Sequence, residues 1–174
     1  LKDALDRLSQ NLSGTAIPPQ AIDQVAQHLV GEIDPVDGGI GGAPKFPQPA
    51  ILKLFWRAWK RSGDPALRHA VELTMTKMAQ GGIYDHLGGG FARYATDARW
   101  LVPHFEKMLY DNAQLLEVLT WLWQDTGHPL YAARARETVA WVLREMIADD
   151  ADGEPSGGFA ATLDADSDGE EGKF

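Results

Sequence analysis

Several features are missing from the sequence, and each absence excludes a class of function. The 174 residues include no cysteine, which excludes disulfides, thiolate metal sites and cysteine nucleophiles. A reducing compartment fits that composition, so we expect a cytoplasmic location. No apolar run approaches the roughly 18 residues that a membrane span requires, and the first residues do not resemble a signal peptide. The chain begins with Leu1 rather than methionine, so we expect a fragment or a processed form.

Basic charge is scarce and unevenly placed. The formal net charge is −9, and residues 149–174 hold nine acids but only one base, Lys173. The remaining residues carry 16 acids and 15 bases and are nearly neutral. Because no basic stripe could neutralise phosphates, the sequence argues against a nucleic-acid partner. Residues 149–174 are predicted to form an acidic, glycine-rich and mobile loop segment.

Helical periodicity accounts for most of the chain. Apolar spacing and proline positions predict helices over residues 1–12, 18–33, 49–61, 65–80, 103–126 and 129–148. The turn at 59–65 aligns with the turn at 123–129, 64 residues later, which indicates repeated antiparallel helical hairpins. Short turns would then lie at one end of the helices. The long glycine-rich connections 38–47, 81–102 and 153–174 are expected to meet at the other end.

The predicted helix over 103–126 is apolar on nearly every side, as expected of a helix buried among others. Its few polar residues lie near its start. His104, Lys107 and Asp111 are spaced three and four apart, which would place them on one helix face at the loop end.

Four motifs, in order, resemble one family. They are the stretches Gly41–Pro47, Met78–Phe91, Pro103–Asp111 and Asp164–Gly172. Together they resemble the spermatogenesis-associated protein 20 family of thioredoxin-domain-containing proteins over most of residues 38–174. That family combines a thioredoxin-like domain with an (α/α)6 toroid similar to six-hairpin glycosidases and N-acylglucosamine 2-epimerases.

The resemblance implies an all-α fold of antiparallel helical hairpins. The thioredoxin-like part is absent from this sequence, and the predicted helices suffice for about half of a toroid. We therefore expect one partial toroid domain over 1–174, with a loop-end pocket for a carbohydrate or similar small polar ligand and with no cofactor or metal. An enzyme of this kind would be a glycoside hydrolase or a sugar epimerase. The alternative is a non-catalytic ligand-binding or scaffold module attached to a thioredoxin-like domain.

Candidate site residues concentrate in residues 81–112. Histidine exchanges protons near neutral pH, and glycoside hydrolysis needs paired carboxylates. The predicted catalytic residues are His86, His104, Glu106, Asp111, Asp164 and Asp166. The predicted ligand-binding residues are Tyr84, Asp85, Phe91, Arg93, Tyr94, Trp100 and Lys107. We expect His86, Arg93, His104, Glu106 and Asp111 to face a common cavity, joined by Asp164 and Asp166. The structural alternatives are capping and salt bridges for the polar groups and core packing for the aromatics.

Two further expectations concern calcium and assembly. Residues 164–169 begin like a calcium-binding loop, with oxygen ligands at alternate positions and glycine at the sixth, but the chain ends before the twelfth position. Calcium binding there is left open. Half a toroid should also leave apolar helix faces uncovered, and self-association is expected through Leu115, Leu119 and Leu122.

Overall fold

The computed structural model describes residue 16, residues 18–149, residue 153 and residues 155–171. The predicted helix over 1–12 lies outside these residues. Within them, five helices follow the predicted order. Helices α1 and α2 comprise Pro19–Val30 and Pro49–Ser62, and α3, α4 and α5 comprise Pro65–Gln80, Leu109–Thr126 and Pro129–Glu145.

The two short turns that join α2 to α3 and α4 to α5 have nearly the same structure. Gly63 and Gly127 end their helices with φ of 74° and 67°, a left-handed conformation that glycine adopts without steric cost. The next residue then caps the following helix. Asp64 accepts the Ala66 amide hydrogen, and His128 Nδ1 accepts that of Leu130. The alignment of the two turns in the sequence therefore reflects a structural repeat.

Each hairpin buries one side against its neighbour. α2 packs on α3, α4 packs on α5, and α2 also packs on α4, while α1 covers α2 and α3. The core between them includes Phe55, Val71, Met75, Leu115 and Leu119, each fully buried. Because both hairpins begin at the long loops, α2 and α4 run in the same direction and present their N-termini at the loop end.

Residues 103–108 are extended, not helical as predicted. β1 (Tyr94–Ala95) pairs with β2 (Pro103–His104), and β3 (Lys107–Met108) pairs with β6 (Thr162–Leu163). Backbone groups that a helix would use internally bond to other loops instead, as in the 2.8 Å bond from the Arg93 amide to the Glu106 carbonyl. Helix α4 therefore begins at Leu109, and His104 and Lys107 share no helix face with Asp111.

The acidic segment also differs from its prediction as a loop. The helix predicted to reach residue 148 ends at Glu145, and β4 (Ile147–Asp149) pairs with β5 (Pro155–Phe159). β7 (Asp166–Ser167) and β8 (Glu170–Glu171) then form a hairpin. Its turn residues Asp168 and Gly169 have φ of 53° and 79°. Positive φ at both positions is the reason for the Asp-Gly preference in two-residue hairpin turns.

The apolar face expected to remain open is closed. Leu115, Leu119 and Leu122 are fully buried, which contradicts their predicted role in self-association. The exposed apolar residues of this hairpin lie elsewhere: Tyr110 and Trp123 on α4 are 51% and 44% exposed, and Val139 and Leu143 on α5 are 40% and 61% exposed. In the part of the chain that the structure describes, no helix has both the length and the apolar character to cross a membrane.

Candidate functional site

The three long loops contact one another at the end of the hairpins opposite the short turns. Lys45 of the first loop pairs with Ala95 of the second, and Trp100 Nε1 donates to the Asp37 carbonyl at 2.8 Å. The third loop joins through the pairing of β6 with β3. The expected meeting of these loops is present, and it brings the predicted site residues into one region.

Two turns in this region repeat the same hydrogen-bonding pattern. In the first, the Gly38 amide donates to the Asp34 carbonyl, and the Asp34 amide donates to the Gly39 carbonyl. Asp34 Oδ1 accepts the amide hydrogens of Val36 and Asp37, and Oδ2 accepts from Lys45 Nζ at 2.8 Å.

The second turn has the same pattern of hydrogen bonds as the first. Gly89 donates to the Asp85 carbonyl, and the Asp85 amide donates to the Gly90 carbonyl. Asp85 Oδ1 accepts the amide hydrogens of Leu87 and Gly88, and Oδ2 accepts from Lys107 Nζ at 2.7 Å. Burial raises the pKa of Asp85, but these hydrogen bonds outweigh it and the net pKa is lowered. Asp85 and Lys107 thus make the same contacts as the structural pair of the first turn.

An antiparallel ribbon over residues 92–107 separates the predicted site residues into two groups. Successive residues of an extended chain point to opposite sides. Phe105 and Lys107 line a cavity on one side, whereas Glu106 between them bonds to Arg93, which lines a second cavity. The predicted common cavity is therefore two cavities.

The first, which we call the His86 cavity, has a volume of about 630 Å³. It is lined by Gly82, Ile83, Asp85, His86, Leu87, Ala92, Phe105, Lys107, Glu145, Leu163 and Asp164. His86 Nε2 lies 3.0 Å from the Gly81 carbonyl, and Nδ1 lies 3.1 Å from Arg134 Nη2. A carbonyl only accepts and a guanidinium only donates, so in this geometry Nε2 is the donor and Nδ1 the acceptor.

The second, which we call the Asp111 cavity, has a volume of about 360 Å³ and is lined by Phe46, Pro47, Gln48, Pro49, Arg93, Tyr110 and Asp111. It lies between the N-termini of α2 and α4, whose dipoles favour negative charge. Asp111 is only 9% exposed. Burial raises its pKa, Arg93 opposes this, and the nearby Glu106 reinforces it.

Charged and aromatic groups of the ribbon border the Asp111 cavity. Arg93 Nη1 donates to Glu106 Oε2 at 2.7 Å, and His104 Nε2 lies 3.8 Å from the same oxygen. The Tyr94 ring stacks on His104 with centroids 4.7 Å apart and also contacts Phe46 at 4.7 Å. Arg93 thus lines the cavity, Glu106 and His104 lie behind it, and Tyr94 contacts the cavity residue Phe46.

Three of the four aromatic residues predicted to bind a ligand belong to the core, contrary to the prediction. Tyr84 is 1% exposed, and Phe91 and Trp100 are fully buried. The Tyr84 hydroxyl donates to Glu137 Oε2 at 2.7 Å, and burial together with this carboxylate raises its pKa. Only Tyr94 keeps a partly exposed ring beside a cavity.

The two predicted site residues of the third loop are also separated from each other. Asp164 lines the His86 cavity, but the exposed Asp166 lies in the β7–β8 hairpin and lines neither cavity. Across the described residues, no group of three or more histidine and acidic side chains is arranged to hold a metal ion.

Some residues of the Asp111 cavity were not singled out from the sequence. Phe46 and Tyr110 are 39% and 51% exposed, and Gln48 has a left-handed backbone with φ of 46°. Such strain in a non-glycine residue is most frequent at functional sites. The position of Gln48 between two prolines is the one sequence signal that could have drawn attention to it.

Asn112 was also missed as a positioning residue. It is fully buried; its Oδ1 accepts the Phe91 amide hydrogen at 2.7 Å, and its Nδ2 donates to the Phe91 and Met108 carbonyls at 3.0 Å. These bonds fasten the ribbon to the first turn of α4, beside Asp111.

Comparison with solved structures identifies the class of this fold. Cellobiose 2-epimerase from Spirochaeta thermophila matches with a TM-score of 0.63 and 20% identity, over 86% of this chain and 42% of that chain. An unsaturated glucuronyl hydrolase specific for heparin matches with a TM-score of 0.61 and 15% identity, over 79% and 41%. These likenesses show the fold, which is about half of an (α/α)6 toroid built from antiparallel helical hairpins, with short strands in its loops.

Relatives found by sequence similarity identify the family to which the chain belongs. Human spermatogenesis-associated protein 20 is 38% identical over 97% of this chain and 22% of its own length, and the mouse protein is 44% identical over 78% and 17%. The chain is therefore homologous to a segment of spermatogenesis-associated protein 20, which confirms the family resemblance of its motifs. It spans about a fifth of the length of these relatives. No family model matches the chain.

Proposed function

We propose that the chain binds a carbohydrate or similar small polar ligand in the Asp111 cavity, and that Asp111 acts on this ligand as a proton donor. The observation that carries the proposal is the position of Asp111, a carboxyl group with 9% exposure and a raised pKa on the wall of a cavity. A carboxyl group whose pKa is raised keeps its proton to higher pH than an ordinary aspartate and can donate it to a sugar oxygen. Arg93, which also lines the cavity, bonds to Glu106 behind it, so the cavity combines a buried acid with an ion-paired guanidinium.

The lining of the cavity supports a polar ring as ligand. Phe46 and Tyr110 offer partly exposed aromatic surface, while Gln48, Arg93 and Asp111 supply hydrogen-bonding groups. Apolar walls with a few polar groups are typical of small-ligand sites. The two structural neighbours are named for action on saccharides, cellobiose and heparin, and a hydrolase or epimerase reaction is the corresponding proposal for this chain. Its lack of cysteine supports a cytoplasmic location for that reaction.

The buried aromatics favour a second candidate function. Because Tyr84, Phe91 and Trp100 fill the core, most of the aromatic surface in the loops stabilises the fold. The chain would then be a non-catalytic ligand-binding or scaffold module of a longer protein, and its loops would need no proton donor.

One experiment separates the two candidates. The chain is titrated with glucose, mannose and cellobiose by calorimetry, and the anomeric proton signals of each sugar are followed by NMR for conversion. Asp111→Asn should abolish conversion and leave the melting temperature within a few degrees, since the amide has nearly the same shape. Glu117→Gln is the matched control, because Glu117 lies on the same helix, is 40% exposed and bonds only to Lys53 among the described residues.

Each outcome decides between the candidates. Binding with conversion that depends on Asp111 supports the enzyme. Binding without conversion supports the non-catalytic module. If no sugar binds, or if Glu117→Gln has the same effect as Asp111→Asn, the assignment of the Asp111 cavity is wrong.

A further inference from the structure

The His86 cavity lies on the opposite side of the ribbon from the Asp111 cavity, and its walls have a different chemistry. Its volume of about 630 Å³ is within the range of small-molecule sites, roughly 300–1,000 Å³. Its apolar lining comes from three separate segments of the chain, with Ile83, Leu87, Ala92, Phe105 and Leu163. A surface of this kind suits an apolar body better than a sugar ring.

Most of the polar groups around this cavity already have partners. Lys107 Nζ donates to Asp85 at 2.7 Å and to the Gly89 carbonyl at 2.9 Å. Glu145 accepts from Trp141 Nε1 at 3.1 Å and from Arg144 Nε at 2.9 Å. Both ring nitrogens of His86 are engaged as well. The charges of Asp85, Lys107 and Glu145 are therefore already paired or hydrogen-bonded within the protein.

Asp164 is the exception among these lining residues. It is exposed, and its carboxylate accepts a single long hydrogen bond of 3.4 Å from the Asp166 amide within the described residues. The cavity therefore has apolar walls and one weakly satisfied negative charge at its edge. Lys107, which lines the cavity, is already ion-paired with Asp85 at 2.7 Å, so the lining favours a cationic ligand over an anionic one.

We propose that the His86 cavity binds an apolar molecule carrying one ammonium group, with the ammonium at Asp164 and the apolar part against Leu87, Phe105 and Leu163. This site is independent of the proposed carbohydrate function, because it lies on the other side of the ribbon and uses none of the residues of the Asp111 cavity.

Three probes with the same apolar part test the ligand class. 4-Phenylbutylamine, 4-phenylbutanol and 5-phenylpentanoate each carry a phenyl ring and four methylenes and differ in their head groups, which are cationic, neutral and anionic. Their dissociation constants for the chain are measured by ligand-observed NMR at neutral pH and low salt. The amine should bind most tightly, the alcohol about two- to fivefold more weakly, as expected for one partly exposed ion pair, and the carboxylate most weakly.

Two variants and their controls locate the site. Asp164→Asn should remove the preference for the amine over the alcohol, and Glu32→Gln, at an exposed acid far along the sequence, should not. Leu87→Ser should weaken the amine and the alcohol by a similar factor of about five. Leu87 is fully exposed to solvent, so its substitution should not unfold the chain. Val36→Ser is the matched control, because Val36 is 66% exposed at the same position of the first repeated turn.

The proposal is overturned if the amine does not bind at millimolar concentration, or if 5-phenylpentanoate binds as tightly as the amine. An amine preference that survives Asp164→Asn would also overturn it, as would equal effects of Val36→Ser and Leu87→Ser.

Discussion

Replacement of Lys45 by methionine should destabilise the fold strongly, and the effect should depend on pH. Lys45 is fully buried. Its ammonium donates to Asp34 at 2.8 Å and to the Ala98 carbonyl at 2.9 Å, and lies 5.3 Å from the centre of the Trp100 ring. Methionine retains most of the apolar stem but removes the charge and all three interactions.

The expected loss of unfolding free energy follows from the lowered pKa of the Asp34 carboxyl group. The hydrogen bond from Lys45, followed by those from the Asp37 and Val36 amides, lowers the pKa of Asp34 from 3.8 to about 2. At about 1.4 kcal/mol per pKa unit, this corresponds to at most roughly 2.5 kcal/mol. Lys45 is the largest cause of this shift, but the Asp37 and Val36 amides remain in the variant. Since the Asp34 side chain is also 27% exposed, we expect the loss of Lys45 to account for about 1.5 kcal/mol after screening by solvent. The unsatisfied Ala98 carbonyl adds about 1 kcal/mol, so Lys45→Met should cost about 2.5 kcal/mol at pH 7.

The sign of the pH dependence is fixed by the direction of the shift. A carboxyl group whose pKa is lowered in the folded state stabilises the fold above its unfolded pKa. That stabilisation is lost as the pH falls towards the folded value. The Asp34 contribution should therefore be complete at pH 7, and roughly two thirds of it should be lost by pH 2.5.

Urea unfolding in a double-mutant cycle of Lys45→Met and Asp34→Asn measures the coupling directly. We expect a coupling free energy of about 1.5 kcal/mol at pH 7 that decreases below pH 4. Lys53→Met is the control, because the Lys53–Glu117 pair is partly exposed and should contribute less than about 1 kcal/mol. A Lys45–Asp34 coupling below about 0.5 kcal/mol at pH 7, or one that is constant down to pH 2.5, would refute the reasoning.

Two further stability predictions test the second turn and the ribbon. Gly90→Ala should destabilise by about 3 kcal/mol or more, because φ is +85° and a Cβ would lie 2.8 Å from the Trp141 ring. Gly127→Ala is the control, because φ is +67° and the space around Gly127 is open, and it should cost only about 1 kcal/mol. If urea unfolding shows equal losses for the two variants, the Trp141 contact is unimportant. Asn112→Ala should cost about 2–4 kcal/mol, since it leaves buried backbone groups of the ribbon unsatisfied, and hydrogen exchange at the Phe91 amide should accelerate. Unchanged exchange there would contradict the positioning role.

The helices were predictable because their signals are local. The glycine–proline turns at 63–65 and 127–129 combine a residue that tolerates positive φ with one that begins a helix, and neither needs tertiary context. The same signals failed at residues 103–108. Proline at 103 and the apolar spacing there fit a helix, but pairing with residues 94–95 and 162–163 determines the extended structure. Such pairing depends on segments distant in sequence, which periodicity cannot detect.

The candidate site was predicted in composition but not in arrangement. Asp111, Arg93 and Glu106 do lie together, as do His86 and Asp164. Their separation into two cavities follows from the alternation of side chains along the ribbon, which appears only once residues 104–107 are known to be extended. The pattern of Asp168-Gly169 was ambiguous in a different way. Alternating acids with glycine fit both a calcium loop and a hairpin turn, and in the structure Asp168 and Gly169 form a hairpin turn.

The repeated turns differ in one respect that has a practical consequence. Lys45 follows Asp34 by 11 residues, whereas Lys107 follows Asp85 by 22. The additional residues of the second copy fall within the ribbon, and the ribbon forms a wall of both cavities. The first copy thus consists of the turn and its Asp–Lys pair, whereas the second copy also contains the ribbon. Sequence variation within the ribbon could change what the protein recognises while both Asp–Lys pairs and all five helices remain as they are. The ribbon is therefore where we would expect specificity to diverge among relatives, and where a designer could exchange one recognition surface for another.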